Sequence, residues 1–189
     1  MAIKNSHIHF FSPDAVTGFS RAGGAHQGES PMRQEPEFRI AGPTDLDALL
    51  PLVQAYHDFE QISMPAAVRI EALMPLLEAD SCFGRIWLIL SSGTVVGYVA
   101  LCYGYSIEFA GRDAFIDEFY ILEQARGQGI GSLTLAFLQR QAAALNIVAL
   151  HLEVARHNQP ARRLYSRAGF RARDRYNFLS REIDSTRGQ

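Results

Sequence analysis

Cysteine is scarce in this chain, with only Cys82 and Cys102 among 189 residues. Twenty positions apart and forming no CxxC pair, they support neither a redox motif nor a thiolate metal cluster, and they fit a reducing cytoplasm. Long apolar runs are also missing: Ile8, Phe10 and Phe11 near the N-terminus make no signal-length segment, and no stretch reaches transmembrane length. The expectation is a cytoplasmic protein with no membrane partner. Neither sign of charge dominates, since 18 Lys+Arg against 20 Asp+Glu leave a net charge of -2. That balance offers no broad basic field for a phosphate backbone, which excludes nucleic acid as a main partner. The six histidines include no HxxxH pair and no HxH with a carboxylate, so no metal is expected. His57, with Asp58 and Glu60, reads first as a solvated helix end, with reach into a substrate pocket as the alternative. No internal repeat or coiled-coil heptad is visible.

What the chain does have is apolar material, 48% of its residues, enough for one substantial core. Residues 1–36 are rich in Gly, Ser, Pro, His and Gln without period, and read as a flexible tail ahead of one domain over 37–189. Met32 stands just before the first patterned segment. Translation starting there would make the leader a mis-read start, which the intact mass of the natively expressed protein decides.

Order begins with a short strand in which Phe38 and Ile40 alternate with polar neighbours. A helix follows Pro43, with Thr44 placed to cap it, Asp47 at the third position, and Leu46, Leu49, Leu50 and Val53 at helical spacing. A second helix spans about 66–79 through Val68, Leu73, Leu76 and Leu77, with a kink expected at Pro75. Phe83–Leu90 and Thr94–Leu101 read as an antiparallel hairpin about the turn Ser91-Ser92-Gly93. A third strand, Ala114–Ile121, leads into a glycine-rich segment and a helix whose buried face is expected to carry Ile130, Leu133, Phe137 and Ala144. Strand Val148–Val154, a short helix ending near Arg167, the stop at Gly169 and an extended region Phe170–Ile183 complete the chain.

The most informative run is Phe115-Ile-Asp-Glu-Phe-Tyr-Ile121, then Arg126-Gly127-Gln128-Gly129-Ile130-Gly131-Ser132 at the mouth of an amphipathic helix. Three glycines remove Cβ atoms where backbone must approach something closely, and free N–H groups at a helix start point outward with the positive dipole end behind them. The natural guest is a phosphate, and Arg126 adds a fixed positive charge. A P-loop is excluded because no Lys-Ser or Lys-Thr follows the glycines. A Rossmann reading is not excluded by spacing, since Glu153 lies where a ribose-binding acid would. It is disfavoured by position: the loop comes late, after an antiparallel hairpin, with too few residues left for the remaining parallel strands.

Arg126-Gly-Gln-Gly129-Ile-Gly131 resembles the acetyl-CoA pyrophosphate signature [RQ]xxGx[GA] of the GNAT superfamily of N-acetyltransferases. A second block, Asn158-Gln-Pro-Ala161-Arg-Arg-Leu164-Tyr165-Ser-Arg-Ala-Gly169-Phe170, resembles that family's downstream motif. The resemblance covers about 38–183. It implies an α/β (α+β) GNAT fold: a mixed, mostly antiparallel sheet of six to seven strands with about four helices, splayed between the fourth and fifth strands. It implies acetyl-CoA as the acetyl donor, with its pyrophosphate on the backbone of Arg126, Gly127, Gln128, Gly129, Ile130, Gly131 and Ser132. Its pantetheine arm would lie along Phe119, Tyr120 and Ile121 as a false strand, with Asn158 facing the cofactor and Tyr165 near the sulfur. An N-cap role for Asn158 is compatible with this. The family often forms dimers, so resemblance alone leans toward a homodimer.

Acetyl transfer to an amine needs a neutral nucleophile, a donor for the carbonyl oxygen and a proton for the departing thiolate. Tyr165 is the expected proton donor, on the resemblance. Asp117 and Glu118 are adjacent carboxylates in an apolar strand. Alternation sends Asp117 to the face of Phe115, Phe119 and Ile121, and Glu118 to that of Ile116 and Tyr120. The polyamine-acetyltransferase branch, which this segment resembles, carries an acidic pair here whose first member suggests Asp117 as base or water relay. Glu118 stays the alternative, and a structural salt bridge is the reading without catalysis. Tyr103, Tyr105 and Glu108 fall where similar enzymes line the acceptor site, and suit a cationic amine acceptor. The competing function is a non-catalytic GNAT-fold module that holds acyl-CoA or docks a partner. A small nucleotide-binding domain is a third reading.

Overall fold

A computed structural model describes residues 35–183. Nearly all of the expected tail, with Met32, lies outside the described residues. The elements run β1 (Glu37–Ile40), α1 (Leu46–Glu60), α2 (Ala66–Leu77), β2 (Gly84–Ser91), β3 (Thr94–Ser106), β4 (Gly111–Ile121), α3 (Ile130–Ala144), β5 (Ile147–His151) and α4 (Gln159–Arg167).

Five strands form one sheet in the order β1-β2-β3-β4-β5, antiparallel throughout except for the parallel pair β4 and β5. The strands are rich in β-branched and aromatic residues, and their alternation feeds two cores. Trp87, Ile89, Val99 and Leu101 pack with Leu135 and Leu138 of α3 and with Ala161, Leu164 and Tyr165 of α4. Ile86, Leu88, Tyr98 and Ala100 pack with Leu49, Leu52, Val53 and Tyr56 of α1 and with Leu73 and Leu77 of α2. Truncating Leu138, fully buried between α3 and the sheet, removes packing on both sides. Leu138→Ala is expected to cost about 3 kcal/mol, read as a thermal midpoint lowered by roughly 6–12 °C for a domain of this size.

The sheet has five strands rather than six or seven, because Phe170–Ile183 forms no ladder among the described residues. In that stretch Arg171, Arg173 and Arg175 take one alternate face, and Asp174 interrupts the other, formed by Phe170, Ala172, Tyr176 and Phe178. Three local expectations also change. Thr44 does not cap α1; the chain enters through a single 3-10 turn at 43–45, where Asp45 accepts from the Gly42 N–H at 2.9 Å and pairs with Arg39 at 2.8 Å. In α3, Leu133 and Ala144 face solvent, and the buried face is Ile130, Thr134, Leu135, Leu138 and Ala142. Phe137 is half-buried, stacked on Phe38 at 4.2 Å. In α2, Val68 is exposed and its neighbour Arg69 is buried.

The feature that positions the site is where β4 and β5 part. They pair only through Arg112–Phe115 against 147–151. Beyond Phe115, β4 continues to Ile121 with that edge open, and residues 152–155 leave the ladder. The expected splay between fourth and fifth strands is therefore present.

Candidate active site

The open edge of β4 leads directly into the glycine loop. Gly127 and Gly129 adopt φ of +74° and +86°, a region that side chains with a Cβ enter at a cost of about 1–2 kcal/mol. Gly129 is the residue on which α3 starts. The chain turns left-handed twice, and the N–H groups of Gly127, Gln128, Gly129, Ile130 and Gly131 are left with no backbone acceptor among the described residues. A Cβ at Gly127 or Gly129 would meet nothing within 4 Å, so the loop's outer side is open. The Ser132 N–H turns back to the Gly129 carbonyl at 3.0 Å. Arg126 behaves differently from expectation. Its N–H is taken by the Glu123 carbonyl at 3.1 Å, and its Nε donates to the Ile121 carbonyl at 2.8 Å. Its guanidinium lies over the Tyr120 ring at 5.5 Å. Arg126 braces the loop against the end of β4, and the run of N–H groups without a backbone acceptor starts one residue later.

The ladder between β3 and β4 pairs Tyr98 with Tyr120 and, by the Leu122 N–H to Val96 bond, turns the N–H groups of Phe119 and Ile121 toward the open edge. Across the splay, Asn158 caps α4, its side-chain oxygen accepting from the Ala161 N–H at 3.1 Å. Its Nδ2 is buried with no hydrogen-bond partner, which leaves a donor whose desolvation goes uncompensated within the chain. Tyr165 is likewise buried, its ring edge-on to Phe170 at 5.8 Å. Burial, and after it the negative charge of Glu60, pushes its phenol well above the ordinary tyrosine value of 10.0. Beside the splay, a cleft of about 1350 Å³ is walled by Asp113 and Phe115 of β4, 151–154, Tyr165 and 176–178.

The acidic pair does not obey simple alternation. The register shifts between Ala100 and Leu101, so that Ala100 faces Glu118 and Leu101 faces Ile116, with Asp117 as the extra residue. This β-bulge flips the pattern midway. Ala114 and Ile116 before it share a core with Phe119 and Ile121 after it, so Ile116, not Asp117, accompanies them. Glu118 projects with Tyr120 toward the core built by α1 and α2. There its Oε2 accepts from the Tyr98 hydroxyl at 2.6 Å, and its Oε1 lies 2.8 Å from His57 Nε2.

His57 is consequently no solvated helix end: it is 3% exposed and Glu60 is 5% exposed. Tyr56, also on α1, is pushed up by burial first and then by the charges of Glu118, Glu60 and Asp117, with Tyr165 adding a smaller contribution. These groups converge on the last turns of α1. The alternative reading of His57 and Glu60 as reaching a pocket is closer to this arrangement than the solvated helix end, but no signal in the sequence announced the contact of His57 with Glu118. Tyr103, Tyr105 and Glu108 lie elsewhere. Tyr105 is 74% exposed at the far end of the β3–β4 hairpin, Tyr103 lies under the Arg112 guanidinium at 5.0 Å, and Glu108 pairs with Arg173 at 2.6 Å. Of the three, only Glu108 reaches the cleft wall.

Residues 50–170 match the acetyltransferase (GNAT) family. The chain belongs to that family. It is 41% identical over 63 residues, 33% of its own length and 40% of the other's, to an uncharacterized N-acetyltransferase, YycN, of Bacillus subtilis (strain 168). It therefore matches well under half of that relative. Among solved structures, it resembles the integron cassette protein HFX_CASS3 from the mobile metagenome of Cole Harbour Salt Marsh. That match has a TM-score of 0.66 and 30% identity, covering 78% of this chain and 90% of that one. It also shares its fold with the aminoglycoside N-acetyltransferase AAC(6')-Iy, solved in complex with CoA, at TM-score 0.66 and 15% identity over 82% of this chain and all of that one.

As a GNAT chain, it has a site whose residues fit coenzyme A. Unclaimed N–H groups suit a pyrophosphate, the open edge of β4 suits an amide-bearing arm, and the buried Asn158 Nδ2 suits a carbonyl. Among the described residues, no set of three or more His, Cys, Asp or Glu side chains is placed to hold a metal ion, and no helix is long and apolar enough to cross a membrane.

Proposed function

We propose that this GNAT protein transfers the acetyl group of acetyl-CoA to a primary amine by direct attack in a ternary complex. The observation that carries the reading is the run of five N–H groups without a backbone acceptor, Gly127 to Gly131, at the mouth of α3 beside the splayed strands. Gly127, Gln128, Gly129, Ile130 and Gly131 hold the pyrophosphate by main-chain nitrogens, with Ser132 at the edge of the array. Phe119, Tyr120 and Ile121 line the arm, their open edge ending where Arg126 occupies the Ile121 carbonyl. Asn158 Nδ2 donates to the cofactor.

Acetyl-CoA supplies the acetyl thioester. The chain's own groups move the protons. Glu118, whose two oxygens each keep a lone pair beyond the bonds from Tyr98 and His57, takes a proton from the acceptor's ammonium, with Asp117 beside it at the bulge. Tyr165, a neutral phenol because burial and Glu60 raise it, holds the proton for the sulfur. The acceptor is a small cationic amine, drawn by Glu60, Asp117 and Glu118 around Tyr56. The aminoglycoside enzyme's shared fold supports that class, and the sequence resemblance adds polyamines.

Calorimetry with CoA tests the first half. Gly129→Ala, which strains a φ of +86°, is expected to let the loop relax and weaken CoA binding roughly tenfold. Unchanged affinity would remove the pyrophosphate assignment. Thiol release over polyamines, aminoglycosides, amino acids and peptides tests the second half. Tight CoA binding with no turnover on the whole panel would favour the non-catalytic acyl-CoA module instead.

A further inference from the structure

Behind Glu118 lies a polar chain that no step of the proposed reaction uses. Glu118 on β4 meets His57 on α1, and His57 meets Arg69 on α2. Both His57 and Arg69 are buried, where an imidazole and a guanidinium persist only when their polar atoms are engaged. Arg69 Nε points at His57 Nδ1 at 3.4 Å, and its terminal nitrogen donates to the Met64 carbonyl at 3.0 Å, tying the link between α1 and α2 into the same chain. A guanidinium has donors only. Nδ1 facing it must therefore be the acceptor, which puts the ring's proton on Nε2, aimed at Glu118 Oε1 2.8 Å away. Glu118 is thus held between two donors from two elements, His57 Nε2 on α1 and the Tyr98 hydroxyl on β3.

We propose that His57, locked as its Nε2–H tautomer by Arg69, is a positioning residue that aims the Glu118 carboxylate at the acceptor amine, making α2 a supporting element of the acceptor site. The inference rests on the reading of Glu118 given above. Its logic is that of ligand-orienting hydrogen bonds in general: a carboxylate on a flexible two-carbon stem is useful only if its direction is fixed from behind, and such supports typically affect function 10–100-fold. The other titratable or charged groups around Glu118 are Tyr98 on β3, Asp117 beside it on β4, and Tyr56 and Glu60 on α1. Tyr165 of α4 is coupled to Tyr56 and Glu60. All of these stay in place in the variants below.

The test has a spectroscopic and a kinetic arm, each on the full chain with CoA affinity as the check on folding. In nitrogen-15 spectra of the ligand-free protein, His57 is expected to show protonated Nε2 and unprotonated Nδ1 at neutral pH, with Arg69→Met releasing the ring into a tautomer mixture. His57→Phe keeps the ring's bulk and loses the donor. It is expected to lower kcat/KM for the amine roughly 10–100-fold. His57→Gln, which restores an N–H, is expected to recover most of the rate. A ring proton on Nδ1, or a His57→Phe enzyme with a rate within twofold of the parent, overturns the proposal. So does a His57→Gln enzyme as impaired as His57→Phe. Glu118→Gln separates the two levels: full activity there defeats the reading of Glu118 itself, whatever His57 shows.

Discussion

Replacing Tyr165 by phenylalanine is expected to lower kcat by about 100-fold or more, the usual range for losing a positioned proton donor, with CoA affinity unchanged. The substitution removes one oxygen from a ring packed in the core with Ala161 and Leu164 and edge-on to Phe170, so the ring's packing survives. The pH dependence sharpens the test. Because burial first and Glu60 second hold the phenol well above 10.0, the donor keeps its proton through the whole neutral and mildly alkaline range. The deficit of Tyr165→Phe is therefore expected to be constant from about pH 7 to 10, and a basic limb in that range must belong to another group. A variant with the parent's thiol-release rate would remove Tyr165 from the chemistry.

Glu118→Gln is expected to lower kcat/KM for the amine by about 100-fold to 10,000-fold, the span for a general base. Glutamine fits the same place. Its oxygen accepts from His57 Nε2, and its amide donates to the Tyr98 hydroxyl, which rotates from donor to acceptor. The thermal midpoint is expected to stay within a few degrees, so lost activity cannot be charged to unfolding. Asp117→Asn is the companion measurement. If it silences the enzyme while Glu118→Gln does not, the base is the bulge residue.

The glycine loop was legible in the sequence because its chemistry is main-chain chemistry: close approach and left-handed φ demand glycine itself, so Gly127 and Gly129 carry their own signal. Asn158 was legible for a similar reason, since a helix start selects its residue type. The acceptor side was not. His57 and Glu118 are 61 residues apart, and nothing in the periodicity of α1 or β4 says that they meet. The bulge at Asp117 leaves no mark either, because an extra residue in a ladder is visible only against its partner strand. That one residue left Glu118 with Tyr120, as alternation gives it, but moved Ile116 to the face of Phe119 and Ile121 and left Asp117 at the strand's irregular point. Tyr103, Tyr105 and Glu108, near the acidic strand in sequence, lie toward the far end of the β3–β4 hairpin, and of the three only Glu108 lines the cleft.

What the amino-acid order determined by itself was the family, the order of elements and the glycine loop at the mouth of α3, all of them properties of contiguous segments. Which acid meets His57 and Tyr98, what stands behind it and where Arg126 places its guanidinium were decided only when α1, α2, β3 and β4 packed together. The physical reason is that hydrogen bonds between side chains depend on direction at the scale of tenths of an ångström, which strand register and helix packing set and local sequence does not.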